Sequence, residues 1–287
     1  MYSWRMKRQI ICACGVVVLL TLIPKSPVLW AQIPPSAPHS IVSSRPVSQL
    51  RNQLQEYYGK VITYEEPLWS WYGELEQMGK SPTLLVPKAV GFTMPQMSGA
   101  EKDIGLSVAQ ALDAYHQQTN GPRFRIIRSR LGLHIVPDQV HGASERLEPA
   151  RNMLDAYIAV PSQQRSASQH VLAIIGAVAA TTGVQFKYGL GNPDSIFDRD
   201  FAAEPTQFMW GTTGSVARDA LVDLFDRSAT TFSWVLNCQA GTQPKDRYCG
   251  FFPDPIVIPT VLDNGKVDRR AILFDRCAKC PPVPGVR

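Results

Sequence analysis

The sequence lacks the motifs that mark several common classes of enzyme. It contains no Gly-x-Ser-x-Gly elbow, no Walker phosphate loop and no His-Glu-x-x-His zinc helix. Histidine is scarce, with 5 residues in a chain of 287, and these residues are scattered. We therefore predict a protein that is not an enzyme and that holds no cofactor and no metal ion.

The sequence also lacks a strong excess of charge of one sign outside its N-terminus. The chain has 29 basic and 24 acidic residues, which gives a net charge of +5. Four of the basic residues lie in residues 1–31, which contain no acidic residue, and leaving them out leaves 25 basic against 24 acidic residues. A balance of this kind gives no electrostatic reason to expect a nucleic-acid partner.

Residues 1–31 have the composition of a signal peptide. A basic start containing Arg5, Lys7 and Arg8 is followed by an apolar run over residues 10–23, and Ala31 could precede a cleavage site. The apolar run is shorter than the ~20 residues that a membrane-spanning helix needs. We expect a cleaved signal peptide and a periplasmic or secreted protein. An uncleaved anchor is the alternative, and membrane contact is then expected through this segment alone.

Four cysteines remain after residues 1–31, and an even number in an oxidising compartment indicates disulfides. Cys238 and Cys249 flank a polar turn between two predicted strands, which predicts a cross-strand disulfide. Cys277 and Cys280 are expected to form the second pair. Their C-x-x-C spacing is also that of thiol redox centres, so a thiol-disulfide redox protein is an alternative function.

Two stretches of the chain repeat one another. Residues 107–115 and 215–224 both begin with Ser-Val and contain an Ala-Leu pair, and a phenylalanine follows each stretch at Phe124 and Phe232. The pattern in each copy is typical of a helix followed by a strand. A repeat of this length predicts two similar modules in tandem.

The first module is predicted over residues 47–142. Leu50, Leu54 and Tyr58 lie on one face of a helix that Gly59 should end. Residues 65–88 are interpreted as an insertion made of loop or short helix. Ser107 is expected to cap a second helix, and a hairpin should follow it.

The second module is predicted over residues 143–262. A leading strand at residues 157–160 precedes a helix that Gly183 should end, and Ser215 should open the next helix before a hairpin. Each module should pack two helices on a small mixed sheet, which predicts an α+β fold whose sheet leaves one face in water. Residues 32–46 are expected to be a flexible Pro/Ser-rich leader, and residues 263–287 a tail that carries the C-x-x-C.

The sequence Ala-Ala-Thr-Thr-Gly-Val-Gln-Phe-Lys-Tyr at residues 179–188 resembles the first helix and strand of a known domain, the short N-terminal domain of secretins and TonB-dependent receptors. Ser215-Val216, Ala220-Leu221 and Phe232 are similar to its second half. The likeness covers residues 155–260 best and residues 47–140 more weakly. It departs from the family after the second helix, where Ala229-Thr230-Thr231 stands in place of a Thr-Gly. The resemblance implies a periplasmic protein-interaction module without a pore of its own.

The densest aromatic cluster of the sequence contains Trp69, Trp71 and Tyr72, with Tyr64 nearby. The first three are the candidate partner-binding residues. Exposed aromatics favour a partner-binding surface or a sugar-binding face, so a cell-wall or glycan-binding protein is a further alternative. A local mini-core under the insertion is the simpler interpretation of the same cluster.

Other polar residues in the sequence are expected to be structural. Glu65 and Glu66 are adjacent and should point apart rather than form an acid–base pair, and His134 should be a packed or an edge residue of its strand. We therefore predict an exported, non-enzymatic protein-interaction or envelope-assembly module. Its partners are expected to be envelope proteins.

Overall fold

The structure, a computed structural model, describes residues 40–77, 84–96, 103–188, 207–241, 247–261 and 267–271. These described residues all belong to one compact unit. The predicted α+β class is confirmed, because the described residues contain four α-helices and several β-sheets. In the part of the chain that is described, no helix has both the length and the apolar character needed to cross a bilayer.

The helices are α1 (Pro46–Tyr58), α2 (Ile104–Thr119), α3 (Ala167–Thr182) and α4 (Ala217–Phe225), and short 3-10 turns occur at Tyr72–Glu74 and Met153–Asp155. The strands are β1 (Ser40–Ser43), β2 (Ile62–Glu65), β3 (Leu75–Gln77), β4 (Leu84–Pro87), β5 (Val90–Thr93), β6 (Arg123–Arg128), β7 (Leu133–His141), β8 (Leu147–Pro149), β9 (Tyr157–Arg165), β10 (Gln185–Tyr188), β11 (Phe208–Val216), β12 (Phe232–Gly241), β13 (Tyr248–Pro255), β14 (Val257–Val261) and β15 (Val267–Ala271).

One large sheet contains strands from both halves of the chain, in the order β10-β13-β12-β2-β7-β6. Its two halves meet where β12 runs parallel to β2, with Val235 opposite Tyr64 and Leu236 opposite Glu65. Within the first half β2 is parallel to β7, and β7 is antiparallel to β6. Within the second half β10 is parallel to β13, and β13 is antiparallel to β12.

Each half also has a separate two-stranded antiparallel ribbon. In the first half β1 pairs with β5, and in the second half β9 pairs with β11. In both ribbons the first strand precedes the first helix of its half, and the second strand precedes the second helix. The first half therefore has a leading strand as well, although the sequence predicted one in the second half alone.

The helices of the two halves cover opposite faces of the large sheet. Trp234 and Leu236 of β12 pack in one core with α3 and α4, whereas Val235 between them packs in a second core with α1 and α2. Neighbouring residues of a strand point to opposite faces, so the two cores lie on either side of β12. The expectation of a sheet face in water is wrong at this junction, because both faces of β12 are buried.

The helix ends follow the predicted chemistry in part. Gly59 and Gly183 both end their helices in the left-handed conformation, with φ of 59° and 73°, as predicted. Ser107 is not a cap, because α2 begins earlier, where the Asp103 side chain accepts a hydrogen bond from the Gly105 amide. Ser215 is not a cap either, because its pairing with Ile158 keeps it in β11.

Several segments of the chain are more ordered than the sequence suggested. Residues 40–43 of the expected flexible leader form β1, and Ile41 in this strand is fully buried. The insertion contains the strand pair β3–β4 rather than a loop or helix alone, and β4 also pairs with the end of β12. Residues 267–271 of the expected tail form β15, which pairs with β14.

Candidate interaction site

A bidentate ion pair crosses the junction between the two halves. Arg218 of α4 donates from Nε to Glu65 Oε1 at 2.6 Å and from Nη2 to Oε2 at 2.9 Å. Its Nη1 also donates to Asp155 Oδ1 at 2.5 Å. Burial raises the pKa of Glu65, and the hydrogen bonds and charge of Arg218 oppose that rise. The carboxylate is thus bound on both oxygens by one guanidinium inside the protein.

Glu66, the next residue, has a separate set of partners. Its carboxylate accepts from Arg45 Nε at 3.0 and 3.1 Å, and its Oε2 accepts from the backbone amide of Cys238 at 2.6 Å. Burial raises the pKa of Glu66 to about 7, against the opposing charge of Arg45. The two adjacent glutamates bind different arginines, so the prediction that they point apart is confirmed.

Arg51 is a third buried charge at the junction. It lies on α1 and donates to the Ile62 carbonyl, to Ser233 Oγ of β12 and to Asp254 Oδ2 of β13, the last at 2.8 Å. Burial lowers the pKa of Arg51, and Asp254 opposes that shift. A guanidinium with several donors satisfies several acceptors at once, which suits it to a buried position between elements.

His134 lies on β7 as a fully buried, packed residue, one of the two placements predicted for it. Its Nδ1 is 2.8 Å from Thr63 Oγ1 and its Nε2 is 2.7 Å from Ser129 Oγ, while its ring stacks on Trp234 with centroids 5.1 Å apart. Burial, and secondarily the charge of Arg218, lowers the pKa of His134 to about 3. The ring is therefore neutral at ordinary pH.

His141 lies apart from His134, beside the insertion. Its Nδ1 is 2.8 Å from Glu74 Oε1, and its ring is 5.0 Å from that of Trp71. The Ser70 hydroxyl donates to the His141 carbonyl at 2.9 Å, which ties the insertion to β7. Within the described ranges, no three His, Cys, Asp or Glu side chains come together as a metal-binding group.

The three aromatic residues predicted as a partner-binding cluster differ in exposure. Trp69 is half-buried and packs on a small core of Leu75, Leu85 and Ala240. Trp71 is also half-buried, whereas 59% of Tyr72 is exposed. The structure therefore leaves Tyr72 as the member of the cluster that a partner could reach, and its role in binding stays a prediction.

The predicted disulfide between Cys238 and Cys249 is confirmed. The two residues lie directly opposite each other in the β12–β13 pair, with Cα atoms 4.0 Å apart, and both are fully buried. Cys277 and Cys280 lie outside the described residues, as does the expected signal peptide at residues 1–31. Their predicted roles stay predictions.

The sequence analysis did not predict that charged side chains are buried and paired at the junction. Two of the pairs join residues that are far apart, with a separation of 153 positions for Glu65 and Arg218 and of 203 for Arg51 and Asp254. A local pattern cannot give such partners. One signal was present, since Arg51 directly follows Leu50 in the stripe of α1 that faces the core.

Comparison with known proteins gives no match for this chain: no protein-family model matches it, and neither a curated protein nor a solved structure does. The geometry of the described residues is therefore the basis for the functional proposal that follows.

Proposed function

We propose that the chain is an exported, non-enzymatic protein-interaction or envelope-assembly module made of two tandem α+β modules. The first module comprises residues 47–142 together with the leading strand β1, and it packs α1 and α2 on strands β2, β6 and β7. The second comprises residues 143–262 and packs α3 and α4 on strands β10, β12 and β13. The proposed resemblance to the N-terminal domain of secretins and TonB-dependent receptors favours a periplasmic location.

The repeated topology is the observation that carries this proposal. Both halves follow the order strand, helix, strand, strand, helix and hairpin, apart from the insertion in the first half. Both place the strand after the first helix parallel to the last strand of the hairpin. Both add an antiparallel ribbon from the strands that precede the helices. Duplicated modules of this kind present repeated surfaces, which suits assembly better than catalysis.

The burial and pairing of Glu65 and Glu66 support a role without catalysis. A catalytic acid or base must reach a substrate, and it is commonly found in a cleft with a perturbed pKa. Glu65 and Glu66 have perturbed pKa values, yet each is bound by an arginine of the same chain and is nearly inaccessible to solvent. Their geometry fits the joining of two halves.

Surfaces for docking are present on both halves. Tyr72 is exposed on the insertion, and Tyr157, of which 70% is exposed, begins the β9–β11 ribbon. Free strand edges accept an additional strand through main-chain hydrogen bonds, which is a common mode of recognition. Aromatic residues at such surfaces supply a large contact area.

Site-specific photo-cross-linking in the native host tests this proposal. A photoreactive amino acid replaces Tyr72 or Tyr157 in the full chain, and exposed Glu56 on α1 is the control position. We expect the chain in the envelope or secreted fraction, with discrete adducts from the two tyrosine positions and none from the control. A cytoplasmic chain, or reductase turnover that disappears in Cys277→Ser, would contradict the proposed function.

A further inference from the structure

The two ribbons of the chain occupy equivalent positions, but their first strands are held to different extents. β1 has four residues and pairs with β5 in a two-stranded ribbon, whereas β9 has nine residues. Of the two apolar side chains in β1, Ile41 is fully buried and Val42 is 70% exposed. A two-stranded ribbon is of marginal stability by itself, and elements with few buried apolar contacts open most readily. β1 is therefore an element that can open while the rest of the chain stays folded.

The link from β1 to α1 lacks the cap that fixes the equivalent link in the second half. Arg45 precedes α1 and makes no capping hydrogen bond with its side chain, and Pro46 at the start of the helix has no amide hydrogen. Before α3, Ser166 and Gln169 form a reciprocal capping box. The geometry places a hinge at Arg45.

β5, the partner strand of β1, is attached to the fold in another way. The Gln118 side chain of α2 accepts from the Thr93 amide at 2.8 Å and donates to the Thr93 carbonyl at 3.0 Å. These two hydrogen bonds tie β5 to α2 independently of β1. Opening at the hinge therefore separates β1 from β5 and leaves β5 in place.

Arg45 also covers the buried carboxylate of Glu66. Its Nε donates to Glu66 Oε1 at 3.0 Å and to Oε2 at 3.1 Å. The Arg45 side chain is 24% exposed and the Glu66 side chain 0% exposed, so the guanidinium lies between the carboxylate and solvent. Movement of residues 40–45 would admit water to Glu66. Ionisation of a buried group and opening of the element that covers it are thermodynamically linked.

The other groups that face Glu66 stay neutral. Burial, and then the charge of Glu66, raises the pKa of Tyr64 on β2. Burial is also the main reason that the pKa of Tyr115 on α2 is raised, so both phenols keep their protons at ordinary pH. Cys238 of β12 contributes its backbone amide, which donates to Glu66 Oε2 at 2.6 Å. Glu66 and Arg45 are therefore the pair whose charge can change this contact.

We infer that residues 40–45 form a proton-controlled strap, which is closed while Glu66 is protonated and is released at Arg45 when Glu66 ionises. Burial raises the pKa of Glu66 from 4.5 to about 7 in the closed form, and water restores the ordinary value when the strap opens. The attraction of Arg45 opposes this shift without cancelling it. The closed form thus binds the proton more tightly, and opening becomes more favourable as pH rises from 4.5 to about 7. Opening uncovers the edge of β5 and the position of Ile41 in the core.

Hydrogen exchange of the full chain, detected by mass spectrometry, tests the strap. Exchange rates are divided by the intrinsic rate at each pH, so that they report the population of the open form. Protection of β1 should fall about tenfold between about pH 5.5 and 8, whereas protection of β9 should stay nearly constant. Glu66→Gln keeps the side chain neutral and should remove this pH dependence from β1.

Glu74→Gln is the matched control, since it makes the same change at a nearby carboxylate that is hydrogen-bonded to His141. It should keep the pH dependence of the wild type. Constant protection of β1, an equal fall at β9, or an unchanged fall in Glu66→Gln would overturn the inference. If Glu66→Gln does not fold, Arg45→Gln decides, because loss of its charge raises the pKa of Glu66 further and should extend the fall to higher pH. A fall that ends at the same pH as in the wild type would also overturn the inference.

Discussion

Glu65 and Arg218 are 153 residues apart in the chain and form two parallel hydrogen bonds inside the protein, at 2.6 and 2.9 Å. The pair joins β2 of the first half to α4 of the second, and the side chains are 1% and 5% exposed. A buried charge without its partner is strongly destabilising, because the energy of its lost hydration is no longer offset. The two halves are therefore expected to unfold together rather than one after the other.

Replacement of Arg218 should show how far stability depends on the pairing of the Glu65 carboxylate. Arg218→Met leaves the Glu65 carboxylate buried without a counter-charge, and we expect it to lower the free energy of unfolding by about 3–5 kcal/mol. Urea unfolding, followed by both far-UV circular dichroism and tryptophan fluorescence, measures the loss. The two probes should stay coincident in the wild type.

The matched variant for this prediction removes both charges. Glu65→Leu combined with Arg218→Met should be much less destabilised than Arg218→Met alone, since an apolar pair of similar size needs no hydration. If the double variant is as unstable as the single one, the loss of unfolding free energy arises from changed packing or from the lost contact between Arg218 and Asp155. That outcome would contradict the attribution of the loss to an unpaired Glu65 carboxylate.

Glu66 should make stability fall as pH rises through the neutral range. Burial raises its pKa from 4.5 to about 7, so the folded state holds a proton that the unfolded state has released. The stabilisation from that proton is complete below pH 4.5 and is lost as pH rises to about 7, with a change of roughly 3 kcal/mol. Glu66→Gln keeps the shape and stays neutral. Its unfolding free energy should not show this decline, and a parallel decline would contradict the assignment to Glu66.

His134 should act in the opposite direction over an overlapping range of pH. Its pKa is lowered from 6.5 to about 3, chiefly by burial, so the unfolded chain takes up a proton that the folded chain excludes. The stability from this exclusion is complete above pH 6.5 and is lost as pH falls towards 3. In the wild type the two effects partly cancel between pH 4.5 and 6.5.

Single variants therefore have to be measured in parallel. His134→Gln should show less loss of stability in acid than the wild type, whereas Glu66→Gln should show more. Proton NMR of the native protein gives a direct reading, since the His134 ring should not titrate between about pH 8 and 5. An inflection near the ordinary histidine pKa of about 6.5 for this ring would rule out its burial.

The disulfide should stabilise the β12–β13 hairpin and resist reduction in the folded state. Cys238 and Cys249 enclose a loop with a sequence separation of 11, for which loss of the cross-link should lower the unfolding free energy by about 2–3 kcal/mol. Urea unfolding of the variant in which both cysteines are replaced by alanine, compared with the wild type, measures this loss of stability.

Non-reducing peptide mapping should also show Cys277 bonded to Cys280. A bond from Cys238 to either of those residues would contradict the connectivity.

The sequence was sufficient to predict those features that depend on residues close to one another along the chain. The glycines that end α1 and α3, the hairpin at Cys238 and Cys249 and the α+β class all follow from local pattern and spacing. Helix starts were less predictable. Asp103 and Ser107 are both good capping residues in the same short stretch, and the choice of Asp103 is consistent with its contact to Arg128 of β6.

The pairing of the two halves in one sheet could not be predicted from the sequence, because it depends on contacts between residues far apart in the chain. Parallel pairing of β2 with β12 brings together residues such as Tyr64 and Val235, and no local periodicity encodes such a contact. The same pairing brings helices to both faces of β12, which is why the expectation of one wet face was wrong. The buried arginines were likewise predictable as helix residues but not as partners of distant carboxylates.

The aromatic cluster of the insertion offers the last test. Substitution of its buried member should affect stability, whereas substitution of its exposed member should affect binding alone. Trp69→Ala should lower the unfolding free energy by about 2 kcal/mol or more, since the ring packs on Leu75 and Leu85. Tyr72→Ala removes an exposed ring and should change stability by less than about 0.5 kcal/mol. If the insertion contacts a partner, Tyr72→Ala should reduce capture of that partner while the fold is unchanged. Glu56→Ala, at an exposed position of α1, is the control. Unchanged capture by Tyr72→Ala would leave the cluster a purely structural mini-core.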